Sequence, residues 1–316
     1  MRRSKLFLTS IVLCASLLQA QQPRPPAQPD SLRFAVIGDT GTGGKAQYEI
    51  GQRLTAFRLT FPFEFVLMLG DNIYGGESAK DFRNKFEKPY EMLLASGIKF
   101  YASLGNHDLP ERQTSYKLFN MGGARHYTFK PKAGIRFFSL DSNYMDKKQL
   151  EWFESELKSS GSEWKVCFFH HPLYSSGEKH GPSLDLRSVL EPLMVKYGVD
   201  VVLTGHEHFY ERLKPQKGIQ HFIVGSSAKL RKNGIQDIGI TEKGFDVDNV
   251  FMVAEIAGDE MSFRVVSRTG QLIDSGKFRR AERKAATQNE PVGRGLDYPA
   301  AASRGFSSSS SASSNL

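Results

Sequence analysis

The chain has 316 residues, 40% of them hydrophobic and 24% charged, with a formal net charge of +8. Residues 1–20 carry +3 of that charge and the segment from Arg279 carries another +3, so the body holds only about +2. The basic balance is thus no argument for nucleic-acid binding, and a length within reach of one α/β domain requires no second one.

Arg2, Arg3 and Lys5 precede an apolar run from Leu6 to Leu18, and Leu18-Gln19-Ala20 ends in a small residue. Residues 1–20 therefore read as a secretory signal peptide, too short to span a bilayer. The Arg2-Arg3 pair leaves a twin-arginine route open. Residues 21–31, with Pro23, Pro25, Pro26 and Pro29, read as an extended Pro-rich leader. Cys14 leaves with the signal peptide, so Cys167 stands alone as a buried structural thiol and no intramolecular disulfide is expected.

The first strand, Leu32 to Ile37, ends in Gly38-Asp39, and Gly41, Gly43 and Gly44 lead into a helix from Lys45 to about Leu59. Those glycines lack phosphate-loop spacing and read as turn residues near a ligand. A second strand, Phe63 to Leu69, ends in Gly70-Asp71-Asn72-Ile73-Tyr74. The pattern predicts a helix over Ala79 to Ala95 with Phe82, Phe86, Tyr90 and Leu93 on one face and a kink at Pro89. Lys99 to Leu104 is a third strand, ending in Gly105-Asn106-His107-Asp108. Ile135 to Leu140 is a fourth, followed by a helix bearing Leu150, Phe153 and Leu157. Trp164 to Phe169 is a fifth, ending in His170-His171-Pro172, and the next helix carries Leu186, Leu190, Leu193 and Tyr197. Val199 to Leu203 is a sixth, ending in Gly205-His206-Glu207-His208.

Alternating strands and helices predict an α/β fold with largely parallel pairing, whose ligands sit beyond the carboxyl ends of the strands. From Gln220 onward the texture changes. His221–224, Val250–256, Met261–267 and Gln271–278 read as strands in antiparallel hairpins, with Ala228 to Val247 as a surface loop near the strand ends. The segment from Arg279 to Leu316 loses its hydrophobic pattern, is rich in serine and is expected to be disordered.

A single Gly-Asp is ordinarily a turn cap, but polar clusters recur at five strand ends: Asp39, Asp71, Asn106-His107, His170 and His206/His208. Together with Tyr74 they offer oxygen and imidazole donors in excess of one ion's needs, which suits two metals about 3.5–4 Å apart. Asp71, central among them, suits a bridging role. If Asp39, Tyr74 and His208 hold one ion and Asn106, His170 and His206 the other, most negative charge lies on the first side and favours a trivalent ion there. His171 is expected to face away because adjacent strand residues alternate. Glu207 is expected to point away from the metals, and His126 and His221 read as structural.

The set Gly38-Asp39-Thr40-Gly41, Gly70-Asp71-Asn72-Ile73-Tyr74, Gly105-Asn106-His107-Asp108, His170 and Gly205-His206-Glu207-His208 resembles the five motifs of purple acid phosphatases, within the calcineurin-like metallophosphoesterases. Gly41 stands where most of the superfamily has a ligating His, and Tyr74 appears where they lack a Tyr. The resemblance spans about Leu32 to Phe278 and is to the small, tartrate-resistant type. Cys167 departs from the usual Val.

The resemblance implies a four-layer α/β/β/α sandwich with two mixed sheets over residues 32–278. It further implies Fe(III) on Asp39, Asp71, Tyr74 and His208, and Fe(II), Zn(II) or Mn(II) on Asp71, Asn106, His170 and His206. It also implies monoester hydrolysis by a metal-bound hydroxide, with Asn106, His107 and His180 binding the phosphate and His107 and His180 protonating the leaving group. The expected enzyme is a secreted or periplasmic monomer acting on small-molecule or protein phosphate esters, with no nucleic-acid or membrane partner. Two alternatives stay open. One is a phosphodiesterase or nucleotide hydrolase on the same core; the other is a non-catalytic iron-binding or redox protein.

Overall fold

Strands that are apolar on both faces must be covered on both faces. The computed structural model, which describes residues 30–280, meets that requirement with two sheets packed face to face. The signal peptide, the leader up to residue 29 and the tail from residue 281 lie outside the described residues.

In chain order the elements are β1 (Leu32–Ile37), α1 (Lys45–Arg58), β2 (Phe65–Leu69), α2 (Ala79–Phe82), α3 (Glu91–Ala95), β3 (Lys99–Ser103), α4 (Pro110–Gln113), β4 (Tyr127–Lys132) and β5 (Ile135–Ser139). There follow α5 (Lys147–Ser159), β6 (Trp164–Phe168), α6 (Leu184–Lys196), β7 (Val201–Thr204), β8 (Tyr210–Leu213), β9 (Gln220–Val224), β10 (Thr241–Phe245), β11 (Val250–Ala257), β12 (Glu260–Ser267) and β13 (Leu272–Arg279).

The first sheet runs β13-β12-β11-β1-β2-β3, and the second β10-β8-β9-β7-β6-β5-β4. Parallel strands form the heart of each: β1 beside β2 and β2 beside β3 in one, and β5, β6, β7 and β9 in the other. Antiparallel strands flank them, so both sheets are mixed.

Strand alternation then distributes the side chains. Phe34, Val36, Phe65 and Leu67 face Phe137, Val166, Phe168 and Leu203 in the space between the sheets. Phe34 stacks on Phe65 at 5.7 Å and meets the edge of Phe137 at 5.2 Å. On the outer face of the first sheet, Ala35, Ile37, Val66 and Met68 pack with Ile50 and Leu54 of α1 and with Phe86, Tyr90 and Leu93. Outside the second sheet, Phe138, Cys167 and Val202 pack with Leu150, Phe153 and Leu157 of α5 and Leu190 and Leu193 of α6. This is the expected four-layer α/β/β/α sandwich. No helix among the described residues is long and apolar enough to cross a membrane.

Four readings need correction. The helix expected over Ala79 to Ala95 is broken into α2, a π-helical turn over Arg83–Glu87, and α3. Pro89 cannot donate to the helical ladder, and the preceding Lys88 amide instead reaches back five residues to the carbonyl of Arg83 at 2.9 Å. Phe82, Phe86, Tyr90 and Leu93 are nonetheless buried, as the pattern requires. Pairing is mixed rather than largely parallel, because β9 adds parallel to β7 while β8 and β10 return antiparallel. For the same reason β9 belongs to the second sheet and forms no hairpin with β11 to β13. Finally, Ala228 to Val247 contains β10, an edge strand whose sequence Thr-Glu-Lys-Gly-Phe carries no apolar alternation.

Candidate metal centre

The five strand ends meet along one edge where the parallel cores of the two sheets adjoin. Asp39 and Asp71 follow β1 and β2, Asn106 follows β3, His170 follows β6, and His206 and His208 follow β7. Three of these residues take left-handed backbone angles: Asp39 at φ 54°, Asp71 at φ 51° and His206 at φ 67°. Non-glycine residues rarely adopt that conformation and retain it only where the surroundings over-determine it. Here the Asp39 amide donates to the carbonyl of Gly70 at 3.1 Å, and Asp39 Oδ2 accepts from the amide of His206 at 2.9 Å. Asp71 Oδ1 accepts from the amide of His107 at 3.0 Å.

On one side of the centre, Asp39 Oδ1 lies 3.2 Å from Tyr74 Oη and 3.4 Å from His208 Nε2. Tyr74 Oη and His208 Nε2 are themselves 3.4 Å apart. Gly41 explains how the tyrosine is held. Its carbonyl accepts from the Tyr74 amide at 2.8 Å, and a Cβ at residue 41 would lie 2.1 Å from the carbonyl oxygen of Asn72. This backbone therefore admits no side chain at 41, and the phenol of Tyr74 stands beside Asp39.

On the other side, His170 Nδ1 donates to the carbonyl of Leu69 at 2.9 Å, which turns Nε2 toward the other donor atoms. That Nε2 lies 3.0 Å from Asn106 Oδ1, 3.1 Å from His206 Nδ1 and 3.5 Å from Asp71 Oδ1. Donor atoms of Asp71 also cluster with those of Asp39 and His208, so Asp71 adjoins both halves.

The electrostatics are those of a site built for cations. Asp39 and Asp71 are 0% and 1% exposed. Burial, then the charge of Asp71, holds the Asp39 carboxyl well above the usual range. Burial pushes Asp71 up too, but His170 and the His107 amide outweigh it and its pKa is lowered. Burial and both carboxylates raise the Tyr74 phenol. Burial also lowers His206, and takes His208 down to about 3. Lone pairs of oxygen and imidazole thus converge on one another at 3.0–3.5 Å, an arrangement that positive ions between them would stabilise. The donor set fits two metal ions.

Asp108 supports the centre from behind. Its buried carboxylate accepts from the amides of Asn72, Ile73 and Gly105 and from Gln113, tying the β2 and β3 loops together. Burial and neighbouring Asp71 raise its carboxyl to about 8.

His107 and His180 stand exposed at the mouth. The His107 ring lies 5.0 Å from Tyr74, and the His180 ring 4.3 Å from His206. Every residue expected at the site is therefore gathered there. His171 requires correction: its ring lies 4.5 Å from His206 and 4.9 Å from His170, and its donor atom clusters with theirs. Strand β6 ends at Phe168, so alternation no longer governs residues 170 and 171. His171 Nδ1 pairs with Ser142 Oγ at 2.8 Å.

Lys229 and Arg231 were also absent from the expected set. Their amides donate to the carbonyls of Asp39 and His208, and Lys229 Nζ sits 4.4 Å from the centre of the Tyr74 ring. Nothing local marks them, since both lie in a weakly patterned segment. Glu207 does point away from the donor cluster, into a salt bridge with Arg231 at 2.9 Å.

A family model described as calcineurin-like phosphoesterase matches residues 32–210. Tartrate-resistant acid phosphatase type 5 of Oryctolagus cuniculus is 26% identical over 257 residues, covering 68% of this chain and 78% of that protein. Among solved structures, GAP50, described as the anchor in the inner membrane complex of Plasmodium, superposes with a TM-score of 0.69 at 21% identity, over 81% of this chain and 91% of that one. The purple acid phosphatase PPD1 of Lupinus luteus seeds gives 0.63 at 19% identity, over 82% of this chain and 55% of that one. These structural likenesses speak for the fold alone.

Proposed function

The chain belongs to the calcineurin-like phosphoesterases, and from that premise we propose that it is an exported acid phosphatase that hydrolyses phosphate monoesters at a binuclear metal centre. One observation carries the reading: Tyr74, Asp39 and His208 converge on one side of Asp71, and His170, His206 and Asn106 on the other. The relationship to a protein named as an acid phosphatase supports it. A fold shared with a protein described as an anchor does not by itself imply catalysis; the intact donor set does.

The anionic oxygens of Asp39 and Tyr74 suit a hard trivalent ion, Fe(III), while the imidazole-rich side suits Fe(II), Zn(II) or Mn(II). When bound, such a pair neutralises phosphate oxygens and lowers the pKa of water enough for attack in acid. The chain's own residues do the rest. Asp71 joins the two halves, and its His107 contact fixes the loop that carries Asn106. From the mouth, His107 and His180 orient the phosphate by hydrogen bonding, as the amide of Asn106 also can. As the bond from phosphorus to the leaving oxygen breaks, a proton from His107 neutralises the departing alkoxide, while His180 holds the phosphate by hydrogen bonding. Residues 1–20 support export, to the periplasm or the exterior.

The test is metal content, visible spectrum and hydrolysis of monoester and diester substrates at acidic pH on the purified protein. Two metals per chain including iron, faster monoester turnover, and a visible band lost in Tyr74→Phe are expected. One metal or none, with no hydrolysis after reconstitution, would leave a binding role for the fold. Faster diester turnover would instead identify a phosphodiesterase.

A further inference from the structure

Glu207 is fully buried between two residues of the donor set, yet contributes nothing to that set. Its carboxylate spans two other partners. Oε1 accepts from the amide of Gly181 at 2.8 Å, and Oε2 pairs with Arg231 Nη1 at 2.9 Å. The space it fills is made by Gly177, where a Cβ would lie 2.1 Å from Oε1.

The two segments it joins are already zipped together. Gly177 bridges to Ile235, the Glu178 amide donates to the carbonyl of Gly234 at 3.0 Å, and the Gln236 amide to that of Ser176 at 2.9 Å. Arg231 is anchored on the metal side as well, through its amide to the carbonyl of His208 at 2.8 Å. Its other terminal nitrogen, Nη2, lies 3.0 Å from His180 Nε2. Among the described residues this is the hydrogen bond that the exposed His180 ring makes.

A guanidinium only donates, so Nε2 of His180 must accept, and the proton of the neutral ring sits on Nδ1. We propose that Arg231, clamped by Glu207, is a positioning residue that fixes the orientation and tautomer of His180, leaving Nδ1–H as its donor toward the substrate. The inference rests on the reading that His180 meets the phosphate of a monoester. The carboxylate between the two ligating histidines thus ties the geometry of the substrate-facing loop to that of the metal-facing one.

The test is a double-mutant cycle on the metal-loaded, full-length protein with 4-nitrophenyl phosphate, joined to nitrogen-15 NMR of the histidine rings in the metal-free protein. Arg231→Met is expected to lower kcat/KM about tenfold, as loss of a supporting contact around a metal site commonly does. Arg231→Lys should recover part of that loss. In the His180→Ala background, Arg231→Met should cost little more. The His180 ring should change from the Nδ1–H form to a mixture of tautomers in Arg231→Met. Equal losses in both backgrounds would mean that Arg231 acts on the substrate directly, and an unchanged tautomer would also overturn the proposal. If the wild-type protein hydrolyses no phosphate ester, the phosphatase reading fails, while the NMR comparison still decides whether the clamp exists.

Discussion

At the scale of single residues, the site depends on three positions that hold an uncommon backbone. Asp39, Asp71 and His206 are each kept left-handed by the strand end before them and by hydrogen bonds between the loops. A different residue, His221, tests how the protein copes with acid. It lies in β9 with its ring 5.3 Å from that of Tyr174, and burial takes its pKa down to about 3. In the unfolded chain an imidazole titrates near 6.5. The buried neutral ring therefore stabilises the fold fully above about pH 6.5, and that contribution is lost as pH falls toward about 3. His221→Phe keeps the ring contact and removes the titration. Urea unfolding at pH 7 and pH 4.5 should show the variant losing about 2–3 kcal/mol less than wild type on acidification. An identical loss in both proteins would count against the assignment. The candidate metal donors were readable one by one because each follows an apolar strand within a few residues. His171 was not, because its direction depends on where β6 stops.

At the scale of the element, β6 shows what a two-sided strand demands. Val166 and Phe168 face the other sheet, while Cys167 faces α5 and α6. Burial raises the Cys167 thiol well above its usual value, and it is the free cysteine of the described residues. Since the thiolate is the reactive form, Cys167 should resist thiol reagents such as Ellman's until the protein unfolds. Cys167→Val is close in volume and should change stability by less than about 1.5 kcal/mol, leaving metal content unaltered. Labelling of the native protein at the rate of a free thiol would contradict this account. The elements read correctly were those with strong apolar periodicity. β10 was missed because an edge strand with one wet face needs little apolar sequence, and β8 because Glu211 and Arg212 interrupt its pattern. The carboxylate of Glu211 is satisfied inside the fold by Ser176 and Thr241.

At the scale of the whole molecule, the sheet interface and the metal centre are one construction: packing the sheets face to face brings their carboxyl edges together. Phe137 lies at the middle of that interface, 5.2 Å from Phe34, 5.4 Å from Phe65 and 5.1 Å from Phe129. Phe137→Ala should cost about 3–5 kcal/mol, the range for removing a fully buried ring, measured by denaturant unfolding of the metal-free protein. Below the unfolding transition the variant should still bind metal, because no donor moves with that ring. What the sequence determined by itself was the order of the strongly apolar strands and the helices between them, the polar residues at those strand ends and the kind of chemistry they offer. Those are local properties, set by apolar periodicity and by residues adjacent in the chain. Only the tertiary structure decided that β9 joins the second sheet, that His171 turns inward, and that Glu207 reaches Arg231 and through it His180. Each of those depends on contacts between segments far apart in sequence, and no local pattern encodes which of the possible partners packing will bring within 3 Å.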